Sequence, residues 1–505
     1  MNKVTAGLII SFCMLFASKV NAMENPLSNP EIDQFTLPNG LKVFMVVDKT
    51  APLVAVDINY HVGSRNEKPG RTGFAHLFEH MMFQGSKNYN DDYFKPLQDI
   101  GGQVNGATST DRTRYWEIVP APYLERVLWL ESDRMGYLLD AMTQERLDNQ
   151  RSVVSNERRQ NYDNRPYGTV WEKMAAVLYP ASHPYSWLTI GSMEDIGRAT
   201  LADVTDFFKT YYTPNNATLA IVGDFDPEAA KALVMKYFGA IPPGPPVSAI
   251  KNWDVSLPSD VILDITDRVQ LPRTYVAWPT VTQFAADEAA LDVFGMVLGG
   301  SKTSRLFKEL VYKRQIAQDA VAGQRSSQIA GVFDMMLTPR PGIDPVELEK
   351  AAIAVVEDTL KSGITKDELE RVQISLTSSF VKDMQHIGGF GGVADRMNAY
   401  QHFIGRPDAF KMDLQRYLDL KPKDVTDVAR KYLKGFKVTA RVMPDGTPAV
   451  SGAADADRTS LPGRGRESAF DLPERDTFEL SNGLKVVLVQ QHKVPLVSMN
   501  LIVPG

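Results

Sequence analysis

The sequence predicts an α+β protein with two domains of similar kind, each an antiparallel-rich sheet packed with helices. Three observations carry that prediction. The chain has 505 residues, more than one hydrophobic core holds, so about two to four domains are expected. Short alternating apolar runs mix with amphipathic helical periods in two long stretches, separated by the proline-rich segment IPPGPPV at 241 to 247. A strand–turn–strand pattern near the start also returns near the end. The hydrophobic fraction of 44% and charged fraction of 23% are those of a globular protein.

Residues 1–22 read as a secretory signal peptide. Lys3 supplies the positive start, and residues 6 to 17 (AGLIISFCMLFA) form an apolar run. That run is too short for a bilayer core, which needs about 20 residues. Val20 and Ala22 suit cleavage after Ala22. The single cysteine, Cys13, lies inside this segment, and Phe12 before it argues against a lipoprotein signal. The mature chain then has no disulfide, which suits a large enzyme of a bacterial periplasm, or a secreted one. The whole chain carries a net charge of -6, and removing the two signal lysines leaves 53 basic against 61 acidic residues. No basic block occurs, which excludes nucleic acid as an expected partner. No later apolar run is long enough to cross a membrane.

The elements follow in order. Asn39-Gly40 is a turn signal before LKVFMVV, and LVAVDINYHV after Pro52 alternates as a second strand. Helical periods cover 74 to 83, 121 to 140 and 144 to 162, the last stopped by Pro166. TLAIVGDFDP at 218 to 227 is a strand ending in a turn. These segments make a first domain at 31–240. A second domain, 250–446, repeats the mixture, with helices at 286 to 298, 345 to 361 and 366 to 384. Residues 447–475 are rich in Gly, Ala, Asp, Arg and Pro and read as a linker. Residues 478 to 505 then align with 35 to 62 without a gap, identical at 11 of 28 positions, Asn-Gly turn included. A repeat spaced by 443 residues marks a duplicated half. A lone two-stranded hairpin is marginal in water. Residues 476–505 are therefore expected to start a truncated third domain, completed by a missing C-terminal half or a partner subunit. A tail strand docked on the existing sheet is the plainer alternative.

The chemistry concentrates in His76-Leu77-Phe78-Glu79-His80, in a chain with only seven histidines. At about 100° per residue, His80 falls about 40° and Glu79 about 300° around a helix from His76. Two imidazoles on one face suit a divalent metal, and the carboxylate beside them suits a base acting on water. H-x-x-E-H is the inverse of the H-E-x-x-H arrangement. A catalytic zinc takes three protein ligands and keeps a fourth position open. Glu79 cannot be both ligand and base, so a third ligand is needed. Glu131 and Glu157 both lie on apolar helix faces, and either could turn inward to a metal. A salt bridge to a nearby arginine explains either one equally well.

GSRNEKPGRTGFAHLFEHMMFQGS, IGGQVNGATSTDRTRYW, SVVSNERR and YYTPNNATLAIVGDFDP stand in this order. Together they resemble the pitrilysin/insulinase family of zinc metallopeptidases, over about residues 35 to 440. The resemblance implies one zinc per chain held by His76, His80 and Glu157, the acid 77 residues after the second histidine. It implies Glu79 as the general base that activates water at the zinc. It also implies that substrate adds as a strand along Gln103 to Thr108, with Asn105 and Gly106 contacting its backbone. The fold would be half of a clamshell whose two halves enclose a chamber.

Three departures accompany the resemblance. Gln150 stands where many relatives carry another glutamate, seven residues before the third ligand. Val311 and Gln318 stand at positions matching the Arg and Tyr that relatives use opposite the zinc, and most of the second half is lacking. His61 and His183 fall outside ligand positions, and GGFGG at 388 to 392 lacks the Lys and Ser/Thr of a phosphate loop. GGFGG is expected to be a flexible connection or a site of close helix packing. The expected function is an exported zinc metalloendopeptidase acting on extended peptides or unfolded protein segments. The rival is a noncatalytic peptide-binding or scaffold subunit of the same fold.

Overall fold

A computed structural model describes residues 25–248, 253, 255–446, 475–490 and 497–501. The expected signal peptide and nearly all of the expected second linker lie outside the described residues. Among the described residues, no helix is long and apolar enough to cross a membrane.

The first sheet has six strands in the order β1-β2-β6-β3-β5-β4. They are β1 (Asp33–Thr36), β2 (Lys42–Val47), β3 (Leu53–Tyr60), β4 (Gln103–Thr108), β5 (Thr113–Pro120) and β6 (Ala217–Gly223). Only β2 and β6 run parallel; every other neighbour is antiparallel. The second sheet has five strands in the order β7-β11-β8-β10-β9. These are β7 (Val261–Asp267), β8 (Arg273–Thr280), β9 (Ala317–Ser326), β10 (Gly331–Pro339) and β11 (Val438–Pro444). Again one pair is parallel, β7 with β11. Matching β7, β11, β8, β10 and β9 to β2, β6, β3, β5 and β4 reproduces both the order and the strand directions. The two domains are thus the same sheet built twice, and β1 is an addition to the first.

The longer helices of the first domain are α1 (Phe74–Met81), α2 (Leu124–Tyr137), α3 (Gln144–Arg158), α4 (Val170–Leu178), α5 (Leu201–Tyr211) and α6 (Pro227–Phe238). Those of the second are α7 (Glu288–Gly299), α8 (Pro345–Ser362), α9 (Lys366–Asp383), α10 (Val393–Ile404), α11 (Phe410–Leu418) and α12 (Pro422–Leu433). Asp226 caps α6 and Thr365 caps α9, each accepting from a backbone N–H of the first turn. Alternation along β3 turns Val54, Val56, Ile58 and Tyr60 into the first core. Asp57 and Asn59 of that strand, and His61 just beyond it, face the seam between the domains, where Asn398 donates to Asp57 and His402 meets His61.

The domains exchange helices across this seam. From the second domain, α10 lays Val393, Ala394 and Met397 on Phe44, Ala220 and Val222 of the first sheet. From the first domain, α4 lays Val170, Met174 and Leu178 on Tyr275, Ala277 and Val438 of the second. Each sheet is therefore covered on one face by its own helices and on the other by one of its neighbour's. GGFGG is a place of close packing: a Cβ at Gly388 would stand 2.5 Å from Ala55 Cβ, and Phe390 meets Trp116 edge-on.

The repeat at the end forms a hairpin, β12 (Asp476–Glu479) with β13 (Lys485–Leu488). Asp476 pairs with Leu488 as Asp33 pairs with Met45, the same register displaced by the repeat. Both Asn-Gly turns put glycine at positive φ, 92° at Gly40 and 85° at Gly483. Burial differs: Val54 is 0% exposed, whereas its counterpart Val497 is 90% exposed.

Candidate metal centre

The helix α1 buries Phe74, Leu77, Phe78 and Met81 and leaves His76, Glu79 and His80 half-buried. Its first turn has no side-chain cap of its own, because Gly73 stands at the N-cap with φ 86°. A Cβ there would lie 2.8 Å from the carbonyl oxygen of Ile190, so the position requires glycine. Glu67 takes over the capping. Its carboxylate accepts from Gly73 N–H at 3.0 Å and Ala75 N–H at 2.8 Å, and from the Trp187 indole N–H at 3.1 Å. Burial pushes the Glu67 carboxyl up to about 8, while these three donors pull it down.

The second ligand-bearing helix is α3, which brings Glu157 opposite α1. Glu157 Oε2 lies 3.3 Å from His80 Nε2 and 3.7 Å from His76 Nε2. Zinc–ligand bonds of about 2.0–2.1 Å at tetrahedral angles place ligand atoms roughly 3.3–3.4 Å apart, so the donor set fits that ion. Among the described residues, this is the one group of three metal-ligating side chains whose atoms lie within 4.8 Å of one another. The hydrogen bond from His80 holds the Glu157 carboxyl below its usual range against the effect of burial. Burial, followed by the neighbouring His80, pushes the His76 imidazole down to about 4. Neutral imidazoles and an ionised carboxylate are the forms a metal binds.

One glycine registers the two helices. Gly191 packs so closely on Gly73 that a Cβ would stand 2.4 Å from its Cα, and its carbonyl accepts from Arg158, the neighbour of Glu157. Arg158 also pairs with Glu172 of α4 at 2.8 Å. Beyond Arg158 the chain continues as a π-helical turn, Arg159–Asp163, an irregularity common beside functional sites. Asn161 of this turn hydrogen-bonds Glu157.

Glu79 stands on α1 beside the two histidines, within reach of the charges of His80 and Glu157. The Thr108 hydroxyl and backbone N–H both donate to it, while burial raises its carboxyl above the ordinary range. Thr108 ends β4, the edge strand of the first sheet. Asn105 is exposed on that strand and accepts from Gly106 N–H at 2.8 Å.

The other candidates go elsewhere. Glu131 is 0% exposed and accepts from Arg134 Nε at 2.8 Å, within a buried cluster with Glu117. His183 is buried and stacks on Tyr179. His61 meets His402 at the domain seam, 2.6 Å between their Nδ1 atoms. Gln150 is buried on α3, Val311 packs on the second core, and Gln318 is exposed on β9. Neither Glu67, Arg158 and Gly191 nor the contact of Thr108 with Glu79 was legible in the sequence. The one local signal for them was a glycine before a helix that lacks a Ser, Thr, Asp or Asn cap.

Comparison with known proteins fits this arrangement. The model of the insulinase family (peptidase family M16) matches residues 42–181, and that of the peptidase M16 inactive domain matches 198–376. The zinc protease PqqE of Helicobacter pylori is 30% identical over 426 residues, covering 81% of this chain and 92% of that protein. A crystal structure of a protease from Helicobacter pylori superposes with a TM-score of 0.76 at 30% identity, over 83% of this chain and 100% of the other. The periplasmic protease PqqL of Escherichia coli matches in fold at 17% identity and a TM-score of 0.68, over 92% of this chain and 56% of that one.

Proposed function

The chain belongs to the insulinase family of peptidases, peptidase family M16, and from that premise we propose that it is a zinc metalloendopeptidase cleaving extended peptides. The observation that carries the reading is the convergence of His76, His80 and Glu157 beside a carboxylate left out of the ligand set. His76, His80 and Glu157 would hold one zinc. Bound there, the ion supplies Lewis acidity that makes water acidic and offsets charge on a peptide carbonyl.

The remaining work falls to the chain's own residues. Glu79 accepts the proton of the attacking water and returns it to the leaving amine. The two bonds from Thr108 fix the direction of its carboxylate, and a position raised by burial suits a group that must hold a proton in transit. The unpaired edge of β4 accepts an extended peptide as an added strand, with Asn105 and Gly106 nearest its backbone. The match to an inactive domain runs from residue 198, in the last part of the first domain, to residue 376 of the second, and no metal-ligating triad occurs among the described residues of the second domain. A peptide-binding scaffold would keep β4 and dispense with the zinc.

Export and a further half belong to the same reading. Residues 1–22 would direct the chain to the periplasm and be removed, so terminal sequencing of the mature protein would begin at Met23. The relative from Escherichia coli is itself named a periplasmic protease. The hairpin β12–β13 would be completed by further strands, from a continuing chain or a partner subunit, facing the zinc across a chamber. Metal analysis tests the centre: one zinc per chain, lost in Glu157→Gln and kept in Glu131→Gln. A metal-free wild type, or loss in Glu131→Gln alone, would overturn the ligand set.

A further inference from the structure

The tips of two equivalent hairpins meet at the domain seam. The turn joining β4 to β5, residues 109 to 112, carries Asp111, which is 3% exposed. The equivalent turn of the second sheet, residues 327 to 330, supplies the backbone N–H of Gln328, which donates to Asp111 Oδ2 at 2.9 Å. The Tyr185 hydroxyl donates to Asp111 and accepts from Ile329 N–H at 3.2 Å. Arg65 closes the node, with Nη1 3.4 Å from Asp111 Oδ1 and a second bond to the Gln328 side chain. The second domain holds the far flank of the same turn as well. Asp395 of α10 pairs with Arg112 at 2.7 Å and with Arg114.

From this turn, one short covalent path and one hydrogen-bonded path run to the two halves of the site. Backward along β4 the first reaches Thr108 and its bonds to Glu79. Sideways, Ser64 N–H donates to Ser109 O at 3.2 Å and Arg65 N–H to Thr110 O at 2.9 Å. Two residues after Arg65 stands Glu67, the cap of α1. A buried carboxylate that gathers donors from three separate segments fixes their relative positions, because removing it leaves each donor buried and unmatched.

We propose that Asp111 is a positioning residue: it transmits the docking of the second domain to the substrate strand β4 and, through Thr108, to Glu79. The second domain, which has no metal-ligating triad among its described residues, is then a mechanical part of the site. The effect on turnover rests on the peptidase reading; the effect on the strand does not. If Asp111 were only a stabilising contact, its loss would lower global stability and leave β4 no looser than the rest of the fold.

The test compares the zinc-loaded full chain with Asp111→Asn and with Tyr185→Phe, by backbone amide exchange over residues 103–108. Exchange over α7 serves as reference. The expected result for Asp111→Asn is at least about a tenfold acceleration over 103–108 with the reference unchanged. On an unstructured peptide KM rises and kcat falls, at unchanged zinc content. Tyr185→Phe, which leaves no unpaired charge, gives the same pattern at smaller size and carries the test if Asp111→Asn does not fold. Exchange over 103–108 that rises no more than the reference in the folded variants overturns the proposal. So do wild-type KM and kcat in them. Accelerated strand exchange in a protein whose zinc-loaded wild type cleaves no peptide keeps the coupling and removes the peptidase reading instead.

Discussion

Arg134, Glu131 and Glu117 form an ion cluster with no measurable share of the surface, each 0–1% exposed at the side chain. Removing one partner of such a cluster strands a buried charge. Glu131→Gln is predicted to cost about 3–5 kcal/mol in denaturant unfolding while zinc content is unchanged. A stability loss below about 1 kcal/mol would contradict the cluster's role. The pair His61 and His402 makes a prediction in pH. Burial pushes His61 down to about 4, and His402 is lowered for the same reason with His61 beside it. Unfolded imidazoles titrate near about 6.5. Their contribution is therefore complete above about pH 6.5 and is lost as the pH falls toward 4, because only the unfolded chain gains protons there. Asp57, pushed up to about 7 by burial, works the other way: its contribution is present at low pH and is lost as the pH rises through 7. The two imidazoles therefore add to the pH dependence of unfolding a slope in which stability rises from pH 5 to pH 7, opposed by the raised carboxyls of Asp57 and Glu67. His61→Gln should flatten that slope; an unchanged slope would rule the pair out as its source. Not every one of these roles was legible in sequence. Glu131 and Glu157 share one local pattern, an acid on an apolar helix face; the family resemblance alone separates them in sequence, and the packing of α3 beside α1 gives the physical reason.

At the scale of elements, the site depends on α1, α3 and β4 holding one another. The period of H-x-x-E-H was enough to read α1 as a helix with its metal-binding face, and the helix runs 74 to 81 where 74 to 83 is expected. The cap was not legible, because Glu67 reaches α1 from outside the helix and the Gly191 contact is long-range. Expected helix 144 to 162 divides into α3 and a π-helical turn, a change of pitch that a 3.6-residue period does not reveal. On β4, Gly106 faces two rings. A Cβ there would stand 3.0 Å from both Phe83 and Tyr115, so a larger residue pushes the strand outward. Gly106→Ala is predicted to destabilise by about 1–3 kcal/mol and to raise KM for an extended peptide several-fold at unchanged zinc content. A wild-type KM in the folded variant would show that β4 does not bind the substrate.

The whole molecule is one sheet topology used twice, with helices exchanged between the copies and hairpin tips docked on each other. The mixture of elements predicts two similar domains, yet nothing local shows the matched strand order. The copies are joined by long-range pairing, and their strands share little pattern beyond alternation. The terminal repeat was legible because it kept its turn and register. Its apolar residues give a comparison within one chain. Val487 is 61% exposed whereas its counterpart Phe44 is 2% exposed. Val487→Lys should change unfolding by less than about 0.5 kcal/mol, and Phe44→Lys should cost more than about 4 kcal/mol. Comparable losses would mean that the hairpin already packs on this chain. The reading of the molecule as a peptidase is tested most directly by hydrolysis of an unstructured peptide by wild type and Glu79→Gln at equal zinc content. The wild type is predicted to cleave it, and the variant to keep one zinc per chain while its rate falls by about 10²–10⁴-fold. A zinc-loaded Glu79→Gln that cleaves at the wild-type rate, or a zinc-loaded wild type that cleaves nothing, would contradict the account.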